Sequence, residues 1–258
     1  MAHAALPKTL EGKVAVVSGS SSGIGAAIAR ELSARGAHVT VNYPFEHLKE
    51  EAASVVSTLA TAGLAVEADI STVDGPAKLV QAAVAEWNRI DIIVNNAGLA
   101  VNLPFEEQTL EHWDRLVNLN GRGTFLLTQE ALKHLTKGSG RIVNIASASA
   151  RTPPPWQTIY GGTKGMVDSF TMCWAKELPP KYGCTVNAVS PGPTKTEGFA
   201  AAGEEVMEFL QPTIDATPCG SRMGEPTEIA YAVAMLCEER ASWVCGSHIV
   251  VSGGLQIG

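Results

Sequence analysis

The chain has 258 residues, 45% of them hydrophobic and 17% charged, so it can bury a sizeable core and is not a disordered segment. A formal net charge of -7 disfavours nucleic acid and anionic membranes as partners, and no apolar run reaches the roughly 18 residues that a membrane span needs. Five scattered cysteines without a CxxC pair, and an N-terminus without an apolar signal segment, predict a cytoplasmic protein with reduced thiols and no metal site.

Short β-branched runs alternate along the chain with stretches of helical periodicity. Lys13–Ser18 (KVAVVS) predicts a buried strand, and Ile24–Arg35 predicts the helix that follows it. Gly63 is expected to cap the second predicted helix. Further strands are predicted at residues 37–43, 64–68, 91–95, 141–146, 184–189 and 248–251, and further helices at residues 46–62, 73–88, 109–135, 159–178 and 226–237.

This alternation indicates βαβ units, whose right-handed crossovers build a parallel sheet. The predicted fold class is α/β: a single-domain, Rossmann-type, doubly wound parallel β-sheet with helices on both faces. We expect a short N-terminal arm at residues 1–10 and one dinucleotide-binding and catalytic domain at residues 11–258, with a substrate loop near residues 194–218. Sheets of this kind bind ligands at the carboxyl ends of their strands, so functional residues should directly follow strands.

A glycine-rich turn joins the first predicted strand to the first helix. Its glycines allow the backbone to approach a pyrophosphate, and the helix N-terminus adds free N–H groups and a positive dipole end. The spacing is GxxxGxG rather than the more general GxGxxG, and a plain Gly-Ser turn is the alternative. The residues expected to contact a dinucleotide here are Gly19, Ser21, Ser22, Gly23, Ile24 and Gly25.

The second strand ends at Asn42 and Tyr43, which are expected to lie beside the cofactor ribose. Enzymes that prefer NAD usually carry an acidic residue at this point to hold the ribose 2′-hydroxyl. Because no acid stands at this strand end, NADP(H) is the expected cofactor and NAD(H) the less favoured one. Positive charge for a 2′-phosphate would come from His47 or Lys49, since the glycine turn contains no basic residue.

Tyr160 and Lys164 stand four residues apart at the start of a predicted helix, which places them on one helical face. An unperturbed Tyr has a pKa of about 10. A Lys ammonium about 4 Å away, at an effective dielectric constant of about 20, stabilises the phenolate by roughly 4 kcal/mol and lowers the Tyr pKa by up to about three units. The pair is therefore predicted to transfer protons near neutral pH, with a chance surface pair as the alternative.

Other polar residues also follow predicted strands. Ser147 ends the run RIVNIAS thirteen residues before Tyr160, and Ser149 is its local competitor. Asn118 lies in the predicted helix 109–135, where Asn120 is a close neighbour. For each of them the alternative is an ordinary turn or helix residue.

These motifs resemble, in order and spacing, those of the short-chain dehydrogenase/reductase family, with Ser18 where that family usually has Thr. The resemblance implies that Ser147 binds a carbonyl oxygen and that the backbone carbonyl of Asn118, at a helix kink, holds a water on the proton path of Lys164. It also implies that Asp69 bonds the adenine amino group, for which a helix N-cap is the alternative. The implied cofactor contacts after the second strand are Asp69, Ile70, Asn95, Ala97, Gly98, Tyr160, Lys164, Pro191, Gly192, Thr194 and Thr196.

The predicted function is therefore NADP(H)-dependent reduction of a ketone to a secondary alcohol by hydride transfer, with Tyr160 as the general acid/base. The strand end at Tyr43 is similar to that of NADPH-dependent members such as the fungal hydroxynaphthalene reductases. An NAD-dependent alcohol dehydrogenase on the same site is one alternative, and a non-catalytic Rossmann-fold binding protein is another.

The substrate is expected to be a small carbonyl or alcohol compound, with a bulky, aromatic or polyketide-like ketone favoured by the residues near Ser147 and the C-terminal part. We expect a homo-oligomer that associates through helices 109–135 and 159–178, with a tetramer favoured over a dimer. The expected pocket residues are Arg151–Trp156, Phe199, Met207, Phe209 and Trp243, and the surplus apolar helix residues are Phe125, Leu126, Leu127, Met166, Phe170 and Trp174.

Overall fold

The computed structural model describes residues 8–200 and 203–257. Within these residues the strands are β1 Val14–Val17, β2 His38–Tyr43, β3 Gly63–Glu67, β4 Ile92–Asn95, β5 Arg141–Ile145, β6 Thr185–Pro191 and β7 His248–Val251. They form one parallel sheet in the order β3-β2-β1-β4-β5-β6-β7, which confirms the predicted doubly wound fold. Strand order reverses between β1 and β4, so a crevice opens there at the carboxyl ends of the strands.

Helices cover both faces of the sheet because successive strand residues point to opposite sides. The helices are α1 Gly23–Ala34, α2 Lys49–Ser57, α3 Gly75–Trp87, α4 Leu110–Leu116, α5 Thr124–Ala131, α6 Thr158–Glu177, α7 Pro179–Tyr182, α8 Glu197–Ala200, α9 Glu204–Asp215 and α10 Pro226–Cys237. Ala15 and Val17 of β1 pack with the first apolar cluster, which α1, α2 and α10 complete, whereas Val16 packs with the second cluster, beside α3, α5 and α6.

The predicted helix 109–135 is helical from Leu110 to Ala131, but it is shorter than expected and not α-helical throughout. It consists of α4, a π-helical segment at Val117–Gly123, and α5. Glycines at the segment allow close packing, since a Cβ on Gly121 would lie 2.6 Å from Met166 Sδ and one on Gly123 would lie 2.6 Å from the Ile70 carbonyl oxygen. A π-bulge of this kind often marks a functional site.

The second helix is shorter than the predicted range 46–62. It runs from a short 3₁₀ turn at Glu46–Leu48 into α2 and ends at Ser57, so Gly63 begins β3 instead of capping a helix. The hydroxyls of Ser57 and Thr58 donate to the carbonyl oxygens of Ser54 and Val55, at 2.8 and 2.7 Å, and thereby compete with continued helical bonding.

The predicted substrate loop near residues 194–218 contains α8 and α9, and Leu210 and Ile214 of α9 are buried. Of the predicted arm, residues 1–7 lie outside the described residues. Leu10 is buried in the core, and its backbone N–H donates to the Arg35 carbonyl oxygen at 2.9 Å. Within the part of the chain that the structure describes, no helix is long and apolar enough to span a membrane.

Candidate active site

A cavity of about 1080 Å³ lies at the carboxyl ends of the strands, beside the reversal of strand order. Most residues predicted for the site line it, from the glycine turn to the loop after β6. The predicted residues in its wall are Gly19, Ser22, Gly23, Ile24, Gly25, Asn42, Asp69, Ile70, Ala97, Gly98, Ser147, Tyr160, Lys164, Pro191, Gly192, Thr194 and Thr196. The wall does not include Ser21, Tyr43, Asn95 or Asn118.

The glycine turn depends on its glycines for geometry. Gly19 has φ of +59°, and a Cβ there would approach the Ala97 Cα to 2.8 Å. A Cβ on Gly25 would lie 2.3 Å from the Gly19 carbonyl oxygen. Ser22 precedes α1 without capping it through its side chain, so the start of α1 offers N–H groups to an acidic side chain or an anion.

The Asn42 side chain is fully engaged within the protein. Its Oδ1 accepts from the Gly19 N–H at 2.9 Å, and its Nδ2 donates to the Ala68 carbonyl oxygen at 2.9 Å. Tyr43, the next residue, is buried in the core. Asn42 therefore links the glycine turn to the ends of β2 and β3, and Pro44 and Phe45 extend the cavity wall after β2.

The two neighbouring asparagines after β4 have different roles. Asn95 is buried, and its Nδ2 donates to Asn144 Oδ1 at 2.7 Å and to Thr128 Oγ1 at 2.9 Å, so it connects β4 to β5 and α5. Asn96, which the sequence analysis did not select, lines the cavity. Its Nδ2 donates to the Ser18 and Gly19 carbonyl oxygens at 2.9 and 2.8 Å. The cavity wall therefore contains Asn96 in place of the predicted Asn95.

Asp69 lines the cavity after β3 and stabilises a local turn. Its Oδ1 accepts from the Ser71 backbone N–H at 2.9 Å and from the Ser71 hydroxyl at 2.7 Å. The alternative N-cap interpretation is wrong, because α3 begins at Gly75 with Asp74 as its N-cap.

Ser147, Tyr160 and Lys164 meet on one side of the cavity. Ser147 ends the segment after β5, and its Oγ accepts from the Ser149 backbone N–H at 3.1 Å. Tyr160 and Lys164 lie one turn apart in the first part of α6. Lys164 is buried, with its Nζ 6.0 Å from the centre of the Tyr160 ring, and it donates to the Ile145 carbonyl oxygen at 2.8 Å.

The predicted lowering of the Tyr160 pKa is not what this arrangement produces. Burial raises the pKa of the Tyr160 phenol above its ordinary value, and the nearby Ser147 side chain only partly opposes that rise. Burial also lowers the pKa of Lys164 to about 8, because removal from water disfavours the ammonium form. In this structure burial decides the direction of the Tyr160 pKa, which is opposite to the lowering expected from Lys164.

Asn120, and not the predicted Asn118, is the buried asparagine of the π-helical segment. Asn120 is completely buried in the π-helical segment. Its Oδ1 accepts from the Leu99 N–H at 2.9 Å, and its Nδ2 donates to the Leu99 carbonyl oxygen at 2.9 Å and to Thr163 Oγ1 at 3.0 Å. A Cβ on Gly98 would lie 3.2 Å from Lys164 Nζ and 3.4 Å from Asn120 Oδ1, so the two side chains flank the same point. Asn118 is half-buried and outside the cavity wall.

An acidic side chain lies at the start of α1. Glu197 Oε2 accepts a hydrogen bond from the Gly23 backbone N–H at 3.1 Å. A carboxylate is stabilised at a helix N-terminus by the free N–H groups and the helix dipole, which equally favour a phosphate. No local pattern in the sequence indicates this contact, since 174 residues separate the two partners.

The other end of the cavity is mostly apolar. Pro154, Phe199, Val206 and Leu210 line it, together with the polar side chains of Asn102, Ser149 and Gln157. Trp156 stacks on Phe209 of α9 with ring centres 4.0 Å apart, which links the loop before α6 to the helix over the cavity. Of the other predicted pocket residues, Trp243 is 96% exposed and Met207 is outside the wall.

No cluster of three or more His, Cys, Asp or Glu residues that could hold a metal occurs within residues 8–200 and 203–257. The doubly wound sheet, the glycine turn at the reversal of strand order and the Ser147–Tyr160–Lys164 group define an oxidoreductase of the Rossmann-fold class.

Comparison with known proteins specifies the family. A family model described as enoyl-(acyl carrier protein) reductase matches residues 19–256. The short-chain dehydrogenase/reductase FrzI of Cladobotryum sp is 41% identical over 253 residues, covering 96% of this chain and 98% of FrzI. Versicolorin reductase 1 of Dothistroma septosporum is 37% identical over 256 residues, covering 95% of this chain and 96% of that protein. The chain belongs to the short-chain dehydrogenase/reductase family of oxidoreductases, as the sequence resemblance predicts.

Solved structures agree with this assignment. The angucycline C-6 ketoreductase LanV, solved with bound NADP, is similar with a TM-score of 0.89 at 32% identity. The match covers 99% of this chain and 100% of LanV.

Proposed function

We propose that the protein is an NADP(H)-dependent ketoreductase that reduces a ketone to a secondary alcohol. The observation that carries this proposal is the meeting of the Ser147 hydroxyl and the Tyr160 phenol at the wall of a cavity that also contains the glycine turn and Lys164. A carbonyl oxygen placed between these two hydroxyls would accept hydrogen bonds from both, which is the arrangement that proton donation to a developing alkoxide requires.

The residues of the cavity fit a nicotinamide dinucleotide. The glycine turn allows a close approach of the diphosphate, and N–H groups at the start of α1, where Glu197 accepts from Gly23, would donate to it. Asp69 and Ile70 line the region beyond the end of β3, where the adenine would bind. The Lys164 ammonium would contact the nicotinamide ribose, and the loop at Thr194 and Thr196 would hold the nicotinamide amide.

The preference for NADP(H) over NAD(H) rests on the end of β2. Asn42, Pro44 and Phe45 line the cavity there and carry no negative charge to repel a 2′-phosphate or to bind a 2′-hydroxyl. Glu46 follows directly, but it is paired with Lys49 at 2.9 Å and lies outside the wall. The bound NADP in the related LanV points to the same cofactor.

Ser147 and Tyr160 have separate roles in the reaction. When bound, the cofactor supplies the hydride. Ser147 donates a hydrogen bond to the substrate oxygen and fixes its position. The Tyr160 phenol then gives its proton to that oxygen as negative charge develops there. Because burial raises its pKa, Tyr160 remains protonated at neutral pH, which suits a proton donor for reduction better than a base for alcohol oxidation.

Steady-state kinetics test the proposal directly. We expect higher kcat/KM with NADPH than with NADH for cyclic and aromatic ketones. A clear preference for NADH would favour the alternative, an NAD-dependent dehydrogenase acting on alcohols. Cofactor binding without turnover of any ketone or alcohol in the panel would favour a binding protein on the same fold.

We further propose that the protein is a homotetramer that works in the cytoplasm. Phe125 of α5 is 41% exposed and Met166 of α6 is 36% exposed, so both helices retain apolar surface for symmetric association. Of the six residues predicted as surplus, Leu127 and Trp174 are instead buried in the core of the chain itself. All five cysteines are free thiols, as suits a reducing compartment.

A further inference from the structure

A series of hydrogen-bonded residues runs from Ser147 across the substrate end of the cavity. Ser147 Oγ accepts from the Ser149 backbone N–H at 3.1 Å, and the Ser149 hydroxyl donates to Gln157 Oε1 at 2.6 Å. Gln157 Nε2 then donates to Asn102 Oδ1 at 2.7 Å. All four residues line the cavity. The serine proposed to hold the reacting oxygen is therefore connected to an amide on the loop after β4.

The direction of these hydrogen bonds leaves the donor group of Asn102 at the end of the series. Because the Asn102 carbonyl oxygen is already bonded to Gln157, its remaining polar group is the Nδ2 amide, which carries two N–H donors. Among residues 8–200 and 203–257 this nitrogen has no hydrogen-bond partner, and Asn102 is half-buried in the cavity wall. A few fixed polar groups in a mostly apolar pocket are what orient a bound ligand.

The position of Asn102 is held from both sides. On one side, Ser149 and Gln157 are buried, which restricts the movement of the two side chains that connect Asn102 to Ser147. The adjacent Leu103 backbone N–H donates to the Trp156 carbonyl oxygen at 3.1 Å, and Gln108 Nε2 donates to the Leu103 carbonyl oxygen at 2.8 Å. The Asn102 amide is thus a preorganised donor on a loop bonded to the segment that precedes α6.

We propose that Asn102 is a specificity-determining residue that donates to a second oxygen of the substrate. The preferred substrates are cyclic or aromatic ketones with a further carbonyl or hydroxyl oxygen, and the apolar residues Phe199, Val206 and Leu210 contact the carbon skeleton. Gln157 acts as a positioning residue for that amide. This inference rests on the proposed function, because it takes Ser147 to hold the reacting carbonyl.

The test compares two classes of ketone in wild type and in Asn102→Leu, which has similar size and no donor. The substrates are 1-tetralone, with one oxygen, and its 4-hydroxy and 8-hydroxy derivatives, with two. Wild type should prefer at least one hydroxylated ketone over 1-tetralone. Asn102→Leu should lower kcat/KM for that ketone about tenfold, mainly through KM, because one hydrogen bond is lost, and should change 1-tetralone by less than about twofold.

Controls separate this inference from folding and from the proposed function. Gln81→Leu, at an exposed position on α3, should leave the substrate preference unchanged. If Asn102→Leu does not fold, Asn102→Ala is measured instead, and the same loss of preference is expected because the amide donor is gone. An equal loss for all ketones, or a wild type without preference, overturns the inference and leaves the ketoreductase standing. A wild type that reduces none of the ketones overturns the proposed function.

Discussion

Replacing Asn120 with Ala should destabilise the protein and reduce its activity, whereas replacing Asn118 with Ala should do neither. Asn120 makes three side-chain hydrogen bonds from a fully buried position, two to the Leu99 backbone and one to Thr163 Oγ1. The Thr163 hydroxyl in turn donates to the Tyr160 carbonyl oxygen at 2.8 Å. Asn120 therefore joins the loop after β4 to the turn of α6 that carries Tyr160 and Lys164.

The magnitude follows from the groups that lose their partner. Each buried group left unpaired costs about 1–3 kcal/mol, and water can reach Leu99, which is only half-buried, so the net loss should be about 2–5 kcal/mol. For a chain of this size the melting temperature falls by about 2–4 °C per kcal/mol, which gives a drop of about 4–20 °C. A displacement of about 1 Å at Tyr160 would lower kcat by up to about 100-fold.

Asn118→Ala is the matched control, because it lies in the same π-helical segment and is only half-buried. Its melting temperature should remain within about 2 °C of wild type, as expected for a loss below about 0.5 kcal/mol. Thermal unfolding and ketone turnover of both variants decide the question. Equal losses in the two variants, or a larger loss in Asn118→Ala, would refute the reasoning from burial and hydrogen bonding.

Three further outcomes are expected. Burial lowers the pKa of Lys164 to about 8, so its charge is lost as the pH rises through that value. NADPH affinity, followed by nucleotide fluorescence, should weaken above pH 8 in wild type but not in Lys164→Met. Glu197→Gln removes a carboxylate from the N-terminus of α1, so its NADPH dissociation constant should fall about two- to fivefold, whereas Glu204→Gln should bind as wild type does. Light scattering should give about four times the mass of one chain, and Phe125→Glu should reduce that mass; a monomeric wild type would contradict the proposed interface.

The sequence predicted the sheet and most of the cavity wall because both depend on local patterns. Buried β-branched runs mark the strands, and in a parallel sheet the residues after each strand meet at one edge. The glycine turn could be read in the same way, since Gly19 and Gly25 occupy positions where a Cβ would collide with backbone.

The sequence does not discriminate between neighbouring positions that carry the same side chain and differ only in burial. Asn95 and Asn96 follow the same strand, yet one bonds within the sheet and the other lines the cavity. Asn118 and Asn120 are both compatible with a helix, and the π-helical segment between α4 and α5 determines which is buried. Periodicity cannot resolve such pairs, because the deciding contacts lie far away in the chain.

Long-range contacts also explain why the sequence did not predict the pKa shifts of Tyr160 and Lys164. The sequence placed Lys164 near Tyr160 correctly, but not the Ile145 carbonyl oxygen that accepts from its ammonium. Nor did it show how far burial shifts both groups, which reversed the expected direction of the Tyr160 pKa. Contacts between Glu197 and Gly23, and between Gln157 and Asn102, likewise join segments that no local motif relates.

The central claim is that the Tyr160 phenol donates the proton in ketone reduction, and Tyr160→Phe tests it most directly. The variant should bind NADPH about as tightly as wild type but lose about 10²- to 10⁴-fold in kcat, the usual effect of removing a positioned general acid. Tyr231→Phe, at an exposed tyrosine of α10, provides the matched control and should retain wild-type turnover. If Tyr160→Phe kept more than about a tenth of the wild-type kcat, a loss below that range, another group would have to supply the proton.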